Sequence, residues 1–195
     1  ALILAIRRKE RRDEPSNAMI DLERYGEIAR RENHAVQNNL TAVSLMKPGP
    51  LRRAALRLAF MVISVAARLV FRPGHLSNIG TIHYARWVLL PDTRQLMFFS
   101  NYGGSWESYL EDFITKATKG LTGVWSNTVG FPRSRFLFGG GAEDGDRFKR
   151  WARHQQVPTL FWYCAYPGLD TARIRTNSLI RQGLSSARSE NKARE

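Results

Sequence analysis

One cysteine, Cys164, stands in 195 residues. A lone thiol excludes an internal disulfide and any zinc site built from several cysteines. Its place inside an aromatic run reads as that of a small core side chain. Long apolar runs are missing as well: the charge-free stretch Leu58–Ala67 falls far short of the roughly 20 residues that span a bilayer. Acidic residues are scarce in the middle of the chain, where seven arginines (52, 53, 57, 68, 72, 86 and 94) between positions 51 and 100 meet a single acid, Asp92. Catalytic signatures are absent too. The loop Gly139–Gly145 lacks the Gly-Lys-Ser/Thr ending of a phosphate loop, and Glu143, Asp144 and Asp146 would repel an anion. No G-x-S-x-G elbow, metalloprotease helix or EF-hand loop occurs. Glu107 and Glu111, one helical turn apart, read as exposed early-helix acids.

Aromatic and aliphatic residues are what the chain has in quantity. Thr81–Leu90, Gln95–Tyr102 and Thr159–Tyr166 are so rich in them that, as strands, they have no polar side. A strand with one wet face alternates with period two, whereas Tyr84 and Val88 oppose Ala85, Trp87 and Leu89. A sheet of such strands needs cover on both faces. The chain's helices supply one cover, and the expected second is another copy, a partner domain, a ligand or a membrane surface.

The order of elements follows from breakers and periodicity. Leu40–Met46 alternates and reads as a strand, stopped by Lys47-Pro48-Gly49-Pro50. Pro50 suits the first turn of a helix over Leu51–Phe71, ended by Pro73-Gly74. On that helix Arg53, Arg57, Arg68 and Arg72 share one stripe, and most of the remaining circumference is apolar. This is more apolar surface than packing on one sheet requires, which points to a second contact, with a bilayer surface at headgroup level among the candidates. A hairpin turns at Pro91-Asp92-Thr93. Trp106, Tyr109, Leu110, Phe113, Ile114, Ala117 and Leu121 recur at helical spacing behind the cap residue Ser105. A short strand near Arg135–Phe138, a short helix Asp146–Gln155, the strand 159–166 and a final helix near Leu169–Gln182 complete the order.

The expected class is therefore α+β, a ferredoxin-like βαββαβ domain with an antiparallel sheet, an extra short helix before the last strand and a C-terminal helix. Residues 38–184 form that domain, residues 1–37 a membrane-proximal anchor remnant and charged helical linker, and 185–195 a disordered tail. The anchor reading comes from the apolar Ala1–Ile6 followed by Arg7–Arg12 (RRKERR), the pattern of a membrane helix end and its basic cytoplasmic flank. Net charge of +13 favours an anionic membrane surface, with nucleic acid a less favoured partner.

Three residues stand out as candidate ligand-binding groups. His83 sits in an aromatic strand and His154 near the end of the short helix. Either can ligate a haem iron or act as acid or base, or be a hydrogen-bonded structural histidine. Arg86, a charge in an apolar strand, needs a partner. It is either paired with Asp112 or Glu107, or a clamp for a carboxylate or haem propionate. His34 and His75 carry no expected role.

The segments TIHYARWV (81–88), FFSNYGGSWESYLEDFI (98–114) and HQQVPTLFWYCAYPGL (154–169) resemble a largely uncharacterised bacterial family with a ferredoxin-like domain of the dimeric α/β-barrel type. That family is distantly similar to the halves of dye-decolourising peroxidases, which enclose a haem. The resemblance implies a haem, or an apolar or aromatic ligand, and chemistry of oxidoreductase type. The peroxidase motif G-x-x-D-G has its nearest counterpart in Ser100–Gly104, with Gly103 where the acid belongs, so the acid that assists peroxide cleavage is missing. The alternative expectation is a non-catalytic interaction module at the cytoplasmic membrane surface.

Overall fold

Two short helices, α1 (Leu2–Glu10) and α2 (Leu22–Ala29), come before the first strand of a computed structural model that describes residues 2–32, 35–69 and 79–186. The central strand β1 (Gln37–Leu45) pairs antiparallel with β3 (Gln95–Gly103) from Gln37↔Gly103 to Leu45↔Gln95. Outside β3 lies β2 (Ile82–Leu89), also antiparallel. Helix α3 (Pro50–Leu69) connects β1 to β2. Between β3 and the last strand come α4 (Trp106–Lys116), α5 (Thr118–Trp125), a two-residue hairpin β4 (Ser134–Arg135) and β5 (Gly139–Gly140), and α6 (Gly145–Gln155). The last strand, β6 (Gln156–Val157), pairs antiparallel with β1 at Thr41 and Ala42. The main sheet thus runs β2-β3-β1-β6, and α7 (Thr171–Ser186) follows. This is an α+β fold, as the sequence implies.

Period two decides which side of the sheet is core. Leu40 and Ala42 of β1, and Leu96, Phe98 and Tyr102 of β3, are buried with Ala85, Trp87 and Leu89 of β2 beside them. Helices α3 to α6 place Leu56, Ala59, Tyr109, Phe113, Leu121, Trp125, Phe148 and Trp151 against that face. The rings lock edge to face: Trp125 on Trp151 at 5.3 Å, and Phe131 on Trp151 at 5.0 Å.

The second face is mixed. Thr41, Val43, Met97, Phe99, Asn101 and Val88 are half-buried, and Tyr84, Arg86 and Leu45 exposed. What lies on part of it is residues 159–166, expected as a strand but found in no ladder. Pro158, which has no N–H to donate, ends the pairing of β6 after two residues. The carbonyls left over along this edge are taken by guanidinium groups, Arg24 on Gln156 and Arg31 on Thr159. The segment then crosses the sheet: Thr159 Oγ1 meets Thr41 Oγ1 at 3.1 Å, and Cys164 Sγ donates to Gln37 Oε1 at 3.3 Å. Trp162 and Cys164 are half-buried, whereas Leu160 and Phe161 are 90% and 83% exposed.

One further expectation, the single helix after Ser105, changes in detail. The stripe from Trp106 to Leu121 is two helices, because Thr118 Oγ1 donates to the Ile114 carbonyl that its own N–H would reach in an unbroken helix, and Ala117 leaves the helical region at φ −133°. Residues before 37 pack into the body: Ile6 is buried with Ala55 and Leu137, Asp13 binds Lys47 and Arg52, and Glu32 binds Arg153. Among the described residues no helix is long and apolar enough to cross a membrane. Arg72, Pro73-Gly74, His34, His75 and the tail from 187 lie outside the described residues.

Candidate functional site

Small side chains on facing elements leave space in the apolar layer. Ala59 and Ala66 on α3, Ala117 after α4, and Gly120 on α5 stand where larger residues would meet. The result is a cavity of about 530 Å³, completed by Val62, Ile63, Ile79, Trp87, Phe113, Leu121, Val124, Phe138 and Gly139. That is the size of a small-molecule site, and far larger than the packing voids of an ordinary core. Its lining is hydrocarbon and aromatic, with one charge, Lys119. Trp87 contributes its ring to the wall, and its indole N–H is fully buried with no acceptor among the described residues.

The mouth of the cavity adjoins an exposed apolar strip. Val62 both lines the cavity and faces solvent, and next to it on α3 lie Met61, Val65 and Leu69, exposed by 57%, 50% and 80%. Arg53, Arg57 and Arg68 are exposed on the adjoining arc of the same helix. Arg52 is different: it points inward and donates to Asp13 Oδ2 at 2.7 Å, where Lys47 also binds at 2.8 Å. Burial pulls the Lys47 ammonium below its ordinary value, and Asp13 opposes that shift.

One wall of the cavity is a loop bound by α1. Phe136 and Leu137 have φ of +52° and +70°, a region non-glycine residues rarely hold. Their N–H groups donate to Glu10 Oε2 (2.9 Å) and Oε1 (2.7 Å). Phe138 follows and enters the cavity wall.

His83, Arg86 and His154 fall in three different surroundings, and none lines the cavity. His83 is the extra residue of a bulge, since Ile82 pairs with Tyr102 and Tyr84 with Asn101. Its Nε2 is buried without a partner among the described residues, beside Gly103 and near Asp170 and Arg175. Burial lowers its pKa; Asp170 opposes the shift and Arg175 adds to it. Arg86 lies over the rings of Phe99 (5.1 Å) and Tyr84 (5.9 Å) on the second face. It has neither expected carboxylate: Asp112 binds Lys116 and Thr81, and Glu107 binds Arg153. His154 Nε2 is 2.9 Å from the Ala18 carbonyl, and the side chain is half-buried at the end of α6.

Haem does not fit this donor set. The cavity has no histidine, cysteine, methionine or tyrosine to hold an iron, and the two candidate histidines lie elsewhere. Nor do the described residues contain a group of three or more His, Cys, Asp or Glu placed to hold a metal ion. No family model, no curated protein and no solved structure matches the chain.

Proposed function

We propose that this chain is a ferredoxin-like domain that works at the cytoplasmic surface of a membrane and holds an apolar or aromatic small molecule in the cavity between α3, α5 and β2. The observation that carries the reading is the cavity itself, apolar throughout except for Lys119, opening beside the exposed strip of α3. The ferredoxin-like assignment is supported by the antiparallel order β2-β3-β1-β6 together with α3 and α4–α5 as the two crossover helices on one face. Lys119 is the one ionisable group among the lining residues and has no acid–base partner there, so the chemistry supported is binding and release rather than turnover.

Membrane association follows from the same helix. Met61, Val65 and Leu69 are of the kind that enter the headgroup boundary, while Arg53, Arg57 and Arg68 remain at phosphate level. Each basic residue near an anionic leaflet contributes about 1 kcal/mol, so three arginines and the apolar strip give reversible attachment. A ligand dissolved in the bilayer then reaches the cavity past Val62 without crossing water.

The test combines vesicles with an apolar probe. Flotation with phosphatidylserine-containing vesicles is expected, weakened about tenfold or more by Arg57→Glu with Arg68→Glu. N-phenylnaphthylamine is expected to take energy from Trp87 saturably, and Ala66→Phe, which fills the cavity, abolishes that uptake. Probe uptake unaffected by Ala66→Phe contradicts the reading.

A second reading, an interaction module, draws on the other side of the sheet, where Tyr84 and Arg86 are exposed and Phe99 half-buried, and on the exposed Leu160 and Phe161. A second copy or a partner domain seated there would cover them. Sedimentation of the full chain as a dimer, reverting to monomer in Phe161→Ser, distinguishes this reading.

A further inference from the structure

We infer that Glu10, on α1, fixes the length of ligand the cavity accepts, by holding the loop that places Phe138 in the cavity wall. The inference rests on the reading of the cavity as a ligand site. Glu10 is 1% exposed although it lies in the charged run after Ile6. Each of its oxygens is used twice. Oε1 accepts from the Leu137 N–H (2.7 Å) and Ser134 Oγ (3.2 Å), and Oε2 from the Phe136 N–H (2.9 Å) and Arg7 Nη1 (3.3 Å). A carboxylate that takes two successive backbone N–H groups fixes the conformation between them. Here that conformation is left-handed at both residues, so the loop is held against its own preference.

The residue so positioned is the next one. The Phe138 ring rests on Gly123 of α5, where an added Cβ would come within 2.7 Å of Cε1. Beyond it, Gly140 has φ +68°, and a Cβ there would meet the Arg133 carbonyl at 2.8 Å, so the hairpin closes only with glycine. Phe138 is thus fixed from both sides, by Glu10 before it and by the hairpin after it. Releasing Glu10 frees the first side alone, and the ring can leave the wall. The cavity then lengthens without any change in its other lining residues. Glu10 is a positioning residue: it touches no ligand and acts through Phe138.

Single-chain fatty acids of increasing length measure this directly, because their tails match the lining and their carboxylates suit Lys119. Laurate, palmitate and oleate are titrated against anilinonaphthalene sulfonate bound to the full chain. Wild type is expected to discriminate against the longest chain by about tenfold or more. Glu10→Gln preserves size, but its amide nitrogen cannot accept, so that discrimination should shrink several-fold while laurate binding holds. Phe138→Ala should do the same, and the double variant should add nothing further, since both act on one ring. A wild-type length profile in Glu10→Gln alongside an altered one in Phe138→Ala overturns the inference and leaves the cavity reading standing. Failure of every fatty acid to bind wild type overturns both. Hydrogen exchange of wild type guards against misfolding of the variant: the Phe136 and Leu137 amides should be protected, and exchange at the rate of a free peptide overturns the inference by itself.

Discussion

The Arg153 guanidinium carbon lies 3.5 Å from the centre of the Trp106 ring, and Nη1 donates to both Glu32 oxygens at 2.8 and 2.7 Å and to Gln156 Oε1 at 3.0 Å. Both charged side chains are buried, so removing one strands the other. Such losses run to about 3–5 kcal/mol. Glu32→Ala is expected to lower stability by that amount in urea denaturation, and a loss below about 1 kcal/mol would show the pair to be better hydrated than its burial suggests. In the sequence Arg153 is one base among several on a short helix, and Glu32 one acid in a charged stretch. Nothing local says that residues so far apart meet. His83 was visible as unusual, a histidine among aromatics, and its Nε2 is buried, but its bulge puts it beside Asp170 and Arg175 instead of in the cavity. Its pKa is held below the ordinary 6.5, so the unfolded chain takes up the proton first. Stability is therefore whole above about pH 6.5 and falls as pH drops below it. His83→Gln should flatten that slope in denaturation measured across this range, and an unchanged slope would assign the pH dependence to other groups.

Among the elements, α3 was read well from its sequence. Counting 100° per residue separated an arginine stripe from a surplus of apolar surface, and Met61, Val65 and Leu69 are indeed exposed. Arg52, off that stripe, is the arginine that turns inward. Because those apolar residues are exposed, Met61→Ser with Val65→Ser should change stability by no more than about 0.5 kcal/mol each while reducing vesicle flotation severely. A large drop in melting temperature would mean that the strip is core after all. Residues 159–166 show the opposite case. Aromatic density without alternation fits a strand buried on both faces, but a strand also needs an edge to pair with. Pro158 and the guanidinium groups of Arg24 and Arg31 close that edge, and none of this can be read from local composition. The break at Ala117 was hidden for a similar reason: the apolar period continues across it, and only the Thr118 hydroxyl interrupts the ladder.

For the molecule as a whole, the class of fold was legible because Pro/Gly breakers separate aromatic, β-compatible runs from stretches of period 3.6, and α+β follows from their order. The cavity was not legible. A void depends on what is small at facing positions of distant elements, here Ala59 and Ala66 against Ala117 and Gly120. Alanine and glycine at those positions were the signal, a weak one, since either residue also suits any closely packed helix pair. The residues that stood out by charge or rarity, His83, Arg86 and His154, lie elsewhere, because an apolar site is built from side chains that look like core. Glu10 was equally hidden, an acid among arginines whose partners are backbone N–H groups.

Calorimetric titration of N-phenylnaphthylamine into wild type and Ala66→Phe at two temperatures tests the central claim most directly. Saturable binding of one molecule per chain, with a negative heat-capacity change from burial of apolar surface, is expected of wild type, and no binding of a variant that melts at or above the wild-type temperature. Binding that is absent from wild type, or equal in the two proteins, would contradict the account.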